Sequence, residues 1–475
     1  MSLHLRYLSL VLSVAAFPAA TAAQQGTTAT GGSIALSLAD AVRIAERESE
    51  AVRIARAGTS RAQGQQLQAN SQRFPQVVGS ANYQRALQLQ FEEIVKRLGG
   101  DDTSSSGGGF ADSPLARVFA SPNTMVLGIS ATQTLYAGGR VRAGVAAANA
   151  GRRAADHGER AARAQNIYEV AQAYFDAQVA ERLLAIADSS FAQTERALRQ
   201  TQLAREVGNT SEYNLIRARV QRDNARPVVI SARAQRDVAL LHLRQMLNLP
   251  LDRAVSFTTA IDGADPSAGD VRAATDLLAT TAAPDVTQRS VVQQAAENVR
   301  AMQEQLRATR GARLPSVALS TNYQRFAYPS GVFEDELKMY FPNWTVSVGV
   351  SMPLFTAGAQ RGAQLVAEAN LAEARERLTQ AREAAALDSR LAAADLEQAE
   401  AAFAASAGTD EQAARAYSIS EVRFAEGIGT QLELTQARVD LETARATRIR
   451  AARDVALARL RVALMPYLPL GVGAR

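Results

Sequence analysis

The chain has 475 residues, 52 basic against 47 acidic side chains, and a formal charge of +5. That mixed balance, with no aromatic-basic platform, gives no footprint for nucleic acid. Cysteine is absent, which excludes disulfides, thiolate metal sites, a cysteine nucleophile and a lipidated N-terminal cysteine, and the histidines His4, His157 and His242 are too scattered to form a metal or catalytic cluster.

Residues 1–23 read as a secretory signal. Arg6 supplies the positive region, Leu8 to Phe17 the apolar region, and Ala20-Thr21-Ala22 the small-residue cleavage pattern. The apolar run is too short to span a bilayer, and no later stretch approaches about 20 apolar residues. Any membrane insertion must therefore use β-strands. Residues 24–35 are rich in Gln, Gly, Thr and Ser and read as a flexible lead-in.

A first repeat is expected over 36–249. Ser37 caps a helix predicted to run to about Arg73, with Leu38, Ala41, Val42 and Ala45 on one face, and Phe74-Pro75 stops it. A hairpin follows over about 75–135. In its first strand Val77, Gly79, Ala81 and Tyr83 alternate with Val78, Ser80, Asn82 and Gln84. In its second, Met125, Leu127, Ile129, Ala131 and Leu135 share a face that Gln133 interrupts. Between them the Gly/Ser/Asp run 99–109 has nothing to bury and reads as a solvated exterior loop. A long helix over 141–207 contains no proline and is rich in Ala, Arg, Glu and Gln. It turns at Gly208 into a helix over 211–248, expected to be interrupted or kinked near Pro227.

Residues 250–284 read as an irregular connection, with a short helix near 271–279. The order then recurs over 285–465. A helix starts at about Asp285 and ends at Leu314-Pro315. A hairpin covers about 315–355, a long helix 360–426 and a last helix 430–465, with 466–475 as a tail. Asn322-Tyr323-Gln324-Arg325 copies Asn82-Tyr83-Gln84-Arg85, 240 residues later. Leu354 to Gly358 follows Leu135 to Gly139 by 219 residues. The shorter second offset means the first hairpin loop is 21 residues longer than the second. In the final strand Trp344, Val346, Val348, Val350, Met352 and Leu354 face one way; Thr345, Ser347, Gly349, Ser351 and Pro353 face the other.

Strands of this length suit a tilted membrane crossing. One face is apolar and the other small and polar. Aromatics gather at strand ends and loops: Phe91 and Tyr136, then Phe326, Tyr328, Tyr340, Phe341 and Trp344. Four strands cannot close a barrel, and lipid forbids open edges, so several subunits must contribute. The long helices, each about 100 Å, do not fit inside a globular domain and must pack sideways on others. Alanines recurring along them, such as Ala146, Ala150, Ala154 and Ala367, permit that close packing.

This ordered set, occurring twice, resembles the TolC-like outer-membrane factors, the exit ducts of tripartite efflux and type I secretion systems. The resemblance spans about residues 36–465. It is carried by Phe74-Pro75, Leu314-Pro315, Pro353-Leu354-Phe355-Thr356-Ala357-Gly358, Leu135-Tyr136-Ala137-Gly138-Gly139 (with Thr134 where the family has proline) and Tyr174-Phe175-Asp176. It implies a mainly α chain with membrane β: a duplicated long-helix α-barrel plus four β-strands per protomer. A homotrimer would then form a 12-stranded β-barrel and a periplasmic α-helical tunnel, in the outer membrane of a Gram-negative-type cell. It further implies passive conduction without cofactor, with a periplasmic adaptor protein, an inner-membrane pump and outer-membrane lipid as partners. A periplasmic adaptor or structural coiled coil is the alternative. An adaptor would show one hairpin and a lipoyl-like domain, and a filament would not need two lipid-length hairpins. No phosphate loop, Ser–His–Asp set or metal-spaced cluster points to an enzyme.

The family's functional positions are docking tips and a periplasmic gate. Val207, Gly208, Asn209, Thr210 and Ser211 resemble one adaptor-docking tip; Gly427, Ile428, Gly429 and Thr430 the other. Each Gly permits the left-handed end of a helix, and Ser211 or Thr430 can cap the next. The acidic gate rings of the family fall at Glu433 and Gln436, with Asn214 as the first-repeat counterpart. Only Glu433 is charged, which implies a weak cation-binding gate.

Overall fold

The computed structural model describes residues 34–88, 122–258, 261, 285–328 and 341–471. The secretion signal, the 99–109 run, Phe91, Tyr340 and the helix expected near 271–279 lie outside the described residues.

The chain is a doubled set of helices carrying one membrane-length sheet. In order the elements are β1 (Ile34–Leu36), α1 (Leu38–Glu48), α2 (Glu50–Ser71), β2 (Gln76–Arg85), β3 (Asn123–Ala137), α3 (Arg140–Glu206), α4 (Glu212–Met246) and β4 (Val255–Phe257). A 3-10 turn at Val286–Gln288 precedes α5 (Ser290–Gly311), β5 (Ser316–Ala327), β6 (Phe341–Ser351), α6 (Ala359–Ala425) and α7 (Gln431–Leu464). Both long helices, α3 and α6, have 67 residues. Each begins after a left-handed glycine, Gly139 or Gly358.

Several sequence expectations are corrected. The lead-in does not stay irregular to residue 35, because Ile34–Leu36 pairs in parallel with Val255–Phe257. The helix from Ser37 does not run unbroken to Arg73. Ser49 adopts an extended backbone (φ −64°, ψ 129°) and separates α1 from α2. The second repeat breaks at the matching place, Arg289 (φ −61°, ψ 136°), so the helix expected from Asp285 begins as a 3-10 turn. Pro227 does not interrupt α4. The last strand stops at Ser351, short of Met352 and Leu354.

The sheet has the order β2-β3-β5-β6, antiparallel throughout. Its register joins the apolar rows of all four strands into one surface. Ala81 lies opposite Leu127, Leu127 opposite Arg325, and Arg325 opposite Pro342. Lower down, Ile129 faces Tyr323, and Tyr323 faces Trp344. Ser80, Gly128, Ser130, Asn322, Ser320, Thr345 and Ser347 share the other surface, where the Ser320 and Ser347 hydroxyls hydrogen-bond at 2.8 Å. A bulge between Thr134 and Tyr136 brings Tyr136, rather than Leu135, into the apolar row opposite Val317. Gln133, the polar intruder in that row, donates from its side chain to the Arg73 and Thr134 carbonyls.

The main core sits midway along the helices. Leu38, Val42 and Ala45 of α1 pack with Ile167, Tyr174 and Phe175 of α3, Leu243 of α4 and Leu460 of α7. The Tyr174 hydroxyl donates to the Leu36 carbonyl at 3.1 Å, and its ring meets Phe257 edge-on at 5.1 Å. Tyr174 thereby pins the β1–β4 pair to the long helix. Burying each such aromatic contributes roughly 2–3 kcal/mol. Elsewhere α3 packs along α2, α4, α5 and α7, while α6 packs along α5 and α7.

Candidate docking tips and constriction

The tips lie at the ends of α3 and α6 remote from the sheet. Gly208 (φ +81°) and Gly427 (φ +74°) are left-handed. At the first tip the Gly208 amide donates to the Arg205 carbonyl at 3.1 Å, and the Asn209 amide to Ala204 at 2.8 Å. At the second the Gly427 amide donates to Phe424 at 3.2 Å, and the Ile428 amide to Arg423 at 3.0 Å. Both are Schellman ends, in which the paired amides satisfy the last helical carbonyls. Gly429 is constrained by space: a Cβ there would lie 3.0 Å from both the Arg423 Cβ and the Phe424 nitrogen. Val207 and Ile428 remain exposed at the apices.

Both return helices start with a capping hydroxyl. Ser211 Oγ accepts from the Asn214 amide at 3.3 Å, and the Asn214 side-chain amide donates to Thr210 Oγ1 at 3.1 Å. In the second repeat Thr430 Oγ1 accepts from the Glu433 amide, and the Glu433 carboxylate accepts from the Thr430 amide, both at 3.2 Å. This is a capping box, legible in principle from the Thr-x-x-Glu spacing. Asn214 and Glu433 thus hold equivalent positions in α4 and α7. Gln436, one turn on, donates to Asp440 at 2.8 Å. Glu433 and Gln436 are exposed and Asn214 is half-buried. No hydrogen bond joins Asn214 to Glu433 among the described residues. Instead Gln221 of α4 donates to Thr435 of α7 at 2.8 Å, tying the two return helices together near the tips.

Sequence reasoning missed two side-chain groups on this shaft. Arg438 bonds Ser190 and Glu442, linking α3 to α7. The Tyr417 hydroxyl donates to Glu421 at 3.2 Å; burial, reinforced by the Glu421 charge, pushes its pKa up to about 12. Their only sequence trace is an i,i+4 spacing, which solvated helix faces share.

A lipid-length sheet whose edge strands, among the described residues, are β2 and β6, set on helices about 100 Å long, is the architecture of an outer-membrane channel. The chain belongs to the outer membrane efflux protein family, whose model matches residues 41–249 and 287–465. Its fold is similar to that of the CmeC outer membrane channel of Campylobacter jejuni, at 17% identity and TM-score 0.71, over 91% of this chain and 86% of that one. VceC of Vibrio cholerae matches at 17% identity and TM-score 0.68, over 90% and 95% respectively. The open state of the MtrE channel of Neisseria gonorrhoeae matches at 20% identity and TM-score 0.68, over 90% and 88%. A sequence comparison with curated proteins finds no match. Family and fold make this an outer-membrane efflux channel rather than an adaptor or a structural coiled coil. Among the described residues no helix is long and apolar enough to cross a membrane.

Proposed function

We propose that three copies of this chain form a passive exit duct in a Gram-negative-type outer membrane, with a twelve-stranded barrel above and a helical tunnel reaching into the periplasm. The edges of β2 and β6, which have no strand partner among the described residues, carry this reading. Lipid offers their amides and carbonyls no partner, so another copy must supply one. Exposed apolar side chains on α4 (Tyr213, Ile216, Val228, Ile230) and α6 (Leu365, Val366, Leu387, Leu391) support the same closure along the tunnel.

In this reading the tips at Val207–Ser211 and Gly427–Thr430 receive a periplasmic adaptor, which couples the duct to an inner-membrane pump of the efflux or type I secretion kind. Three copies of Glu433 ring the axis at the closed end, with Gln436 and Asn214 as neutral neighbours. Transport requires no bound cofactor, and the pump, not the duct wall, selects cargo. Mass measurement of the detergent-solubilised protein tests the assembly: a trimer is expected and a monomer overturns it. Crosslinkers placed at Asn209 or Ile428 should capture an adaptor; capture at the mid-shaft instead would remove the tip assignment.

A further inference from the structure

The four strands carry two charged side chains between them, Arg85 and Arg325. The register places both on the apolar surface, two residues beyond Tyr83 and Tyr323, at the loop ends of their strands. Both are exposed. At the helix ends of the same surface stand Val77, Tyr136, Val317 and Val350, with no charge among them. The other surface of the described strands carries no charged side chain. Within the strands the cationic side chains stand on the apolar surface at the loop ends, where they have no use in the conduit; the exposed Arg73 and Arg313 at the helix ends lie outside the strands.

Arg325 is the better defined of the two. Its Nε donates to the Tyr323 hydroxyl at 2.9 Å, and its guanidinium carbon lies 5.9 Å from the Tyr323 ring centroid. Trp344 stands directly opposite Tyr323 on β6, with its indole N–H donating to Thr321 Oγ1 at 2.8 Å. Neither arginine has a carboxylate partner among the described residues. A guanidinium held over an aromatic ring keeps donors free in a planar fork that matches phosphate. Along the strand Arg325 is eight residues from Val317, or roughly 26 Å at the usual rise. At a barrel strand tilt of about 40° that run spans roughly 20 Å along the membrane normal, most of an apolar band about 25 Å tall.

We propose that the outward rim of β5–β6 is a binding site for the phosphate headgroup of an anionic lipid in the exterior leaflet. Arg325 is the phosphate donor, Tyr323 its platform, and Trp344 the side chain that lies along the acyl chain. Arg85 and Tyr83 form the corresponding half-site of the first repeat. The inference rests on reading the apolar surface as lipid-facing, and its test separates the two.

Trp344 is the only tryptophan in the chain and reports the site directly. The full-length channel in uncharged detergent is titrated with brominated-chain phosphatidic acid or brominated-chain phosphatidylcholine, and quenching of Trp344 is read. Phosphatidic acid should quench at a concentration lower by on the order of tenfold. Arg325→Gln should abolish that preference, and Arg325→Lys should keep part of it, which shows the strand still folded. Equal quenching by both lipids in the native protein overturns the headgroup site while the surface remains lipid-facing. No quenching by either lipid overturns the lipid-facing reading itself. If inorganic phosphate alone shifts Trp344 emission where phosphatidic acid saturates, the site binds free anions and the lipid assignment fails.

Discussion

Gly138 and Gly311 approach so closely that neither has room for a methyl group. A Cβ on Gly138 would lie 2.3 Å from the Gly311 carbonyl oxygen, and a Cβ on Gly311 would lie 2.3 Å from that of Gly138. The contact joins the end of β3 to the end of α5, where sheet gives way to helices. Gly138 is also left-handed, at φ +60°. Handedness alone does not require glycine, because the matching residue of the second repeat, Ala357, has φ +48°. The close approach does.

Gly138→Ala should therefore disrupt the junction, at a cost of about 3 kcal/mol or more, since backbone must move to admit it. Gly358→Ala meets nothing within 4 Å and should cost only the left-handed penalty, about 1–2 kcal/mol. Thermal unfolding of both variants in detergent checks the order. Equal losses would show that space at Gly138 is not the constraint.

Ser49 and Arg289 occupy the two matching helix breaks, 240 residues apart, but anchor them differently. Ser49 Oγ donates to Asn166 Oδ1 at 2.8 Å. Arg289 donates to the Ala385 carbonyl at 3.1 Å and to Asp388 at 2.7 Å, and Asp388 also accepts from Arg461 at 2.9 Å. Both arginines are buried. Asp388→Ala would leave the buried Arg289 guanidinium without a counterion, while Arg461 keeps Asp395 at 2.6 Å, so a loss of about 3 kcal/mol is expected. Ser49→Ala should cost about 1–2 kcal/mol. Urea unfolding followed by circular dichroism gives both values; a smaller loss for Asp388→Ala would contradict the clamp.

Much of this architecture was legible because it is written twice. The 219-residue offset set both long helices to within a residue, and the alternation of Val77 to Tyr83 and Trp344 to Val350 set the membrane face. What escaped was decided by contacts distant in sequence. Ser49 looks like an ordinary helical residue until Asn166 is beside it. Asp388 looks like a solvated charge until Arg289 and Arg461 enclose it. Leu135 fits its row by parity, and only the bulge against β5 replaces it with Tyr136. At the tips, Thr430 announced a cap, but the return bond from Glu433 depends on a local fold that spacing suggests without fixing.

His157 should make the shaft sensitive to acid. It is half-buried between α3 and α5, and its pKa is lowered, chiefly by burial, then by the Arg160 charge; Arg153 acts with Arg160, while Glu297 and Asp156 oppose them. The unfolded histidine binds its proton near the ordinary value of about 6.5, and the folded one only at lower pH. Between those values the unfolded state holds more protons, so stability falls as pH drops through that window. His157→Gln should flatten the change in melting temperature between about pH 7.5 and 5.5. An unchanged slope would place the sensitivity elsewhere.

Gly208→Pro and Gly427→Pro should abolish transport while leaving barrel insertion nearly normal. Proline can neither adopt the positive φ of these positions nor supply the amides that close the Schellman ends. The damage lies about 100 Å of helix from the strands, too far to disturb them. Outer-membrane fractionation beside an efflux assay separates the two effects. Loss of the protein from the membrane fraction would show that the turns serve folding rather than docking.

Glu433 caps a helix, so any part it plays at the gate has to be separated from that cap. Its carboxylate already accepts from the Thr430 amide, so Glu433→Ala would confound loss of charge with loss of the capping box, itself worth about 1 kcal/mol. Glutamine keeps an acceptor at that position and a serviceable box, and removes only the charge. In a trimer three such carboxylates around one narrow axis repel each other and attract cations. Asn214 and Gln436 add no charge to the ring, so the attraction should be modest. Single-channel conductance in planar bilayers should be low at rest, and divalent cations should block it weakly and only from the periplasmic side. Glu433→Gln should remove that block with only a small loss of melting temperature, from the charge that no longer faces the helix N-terminus. If the block persists in Glu433→Gln, the cation does not bind at this ring, and Glu433 serves α7 as a helix cap alone.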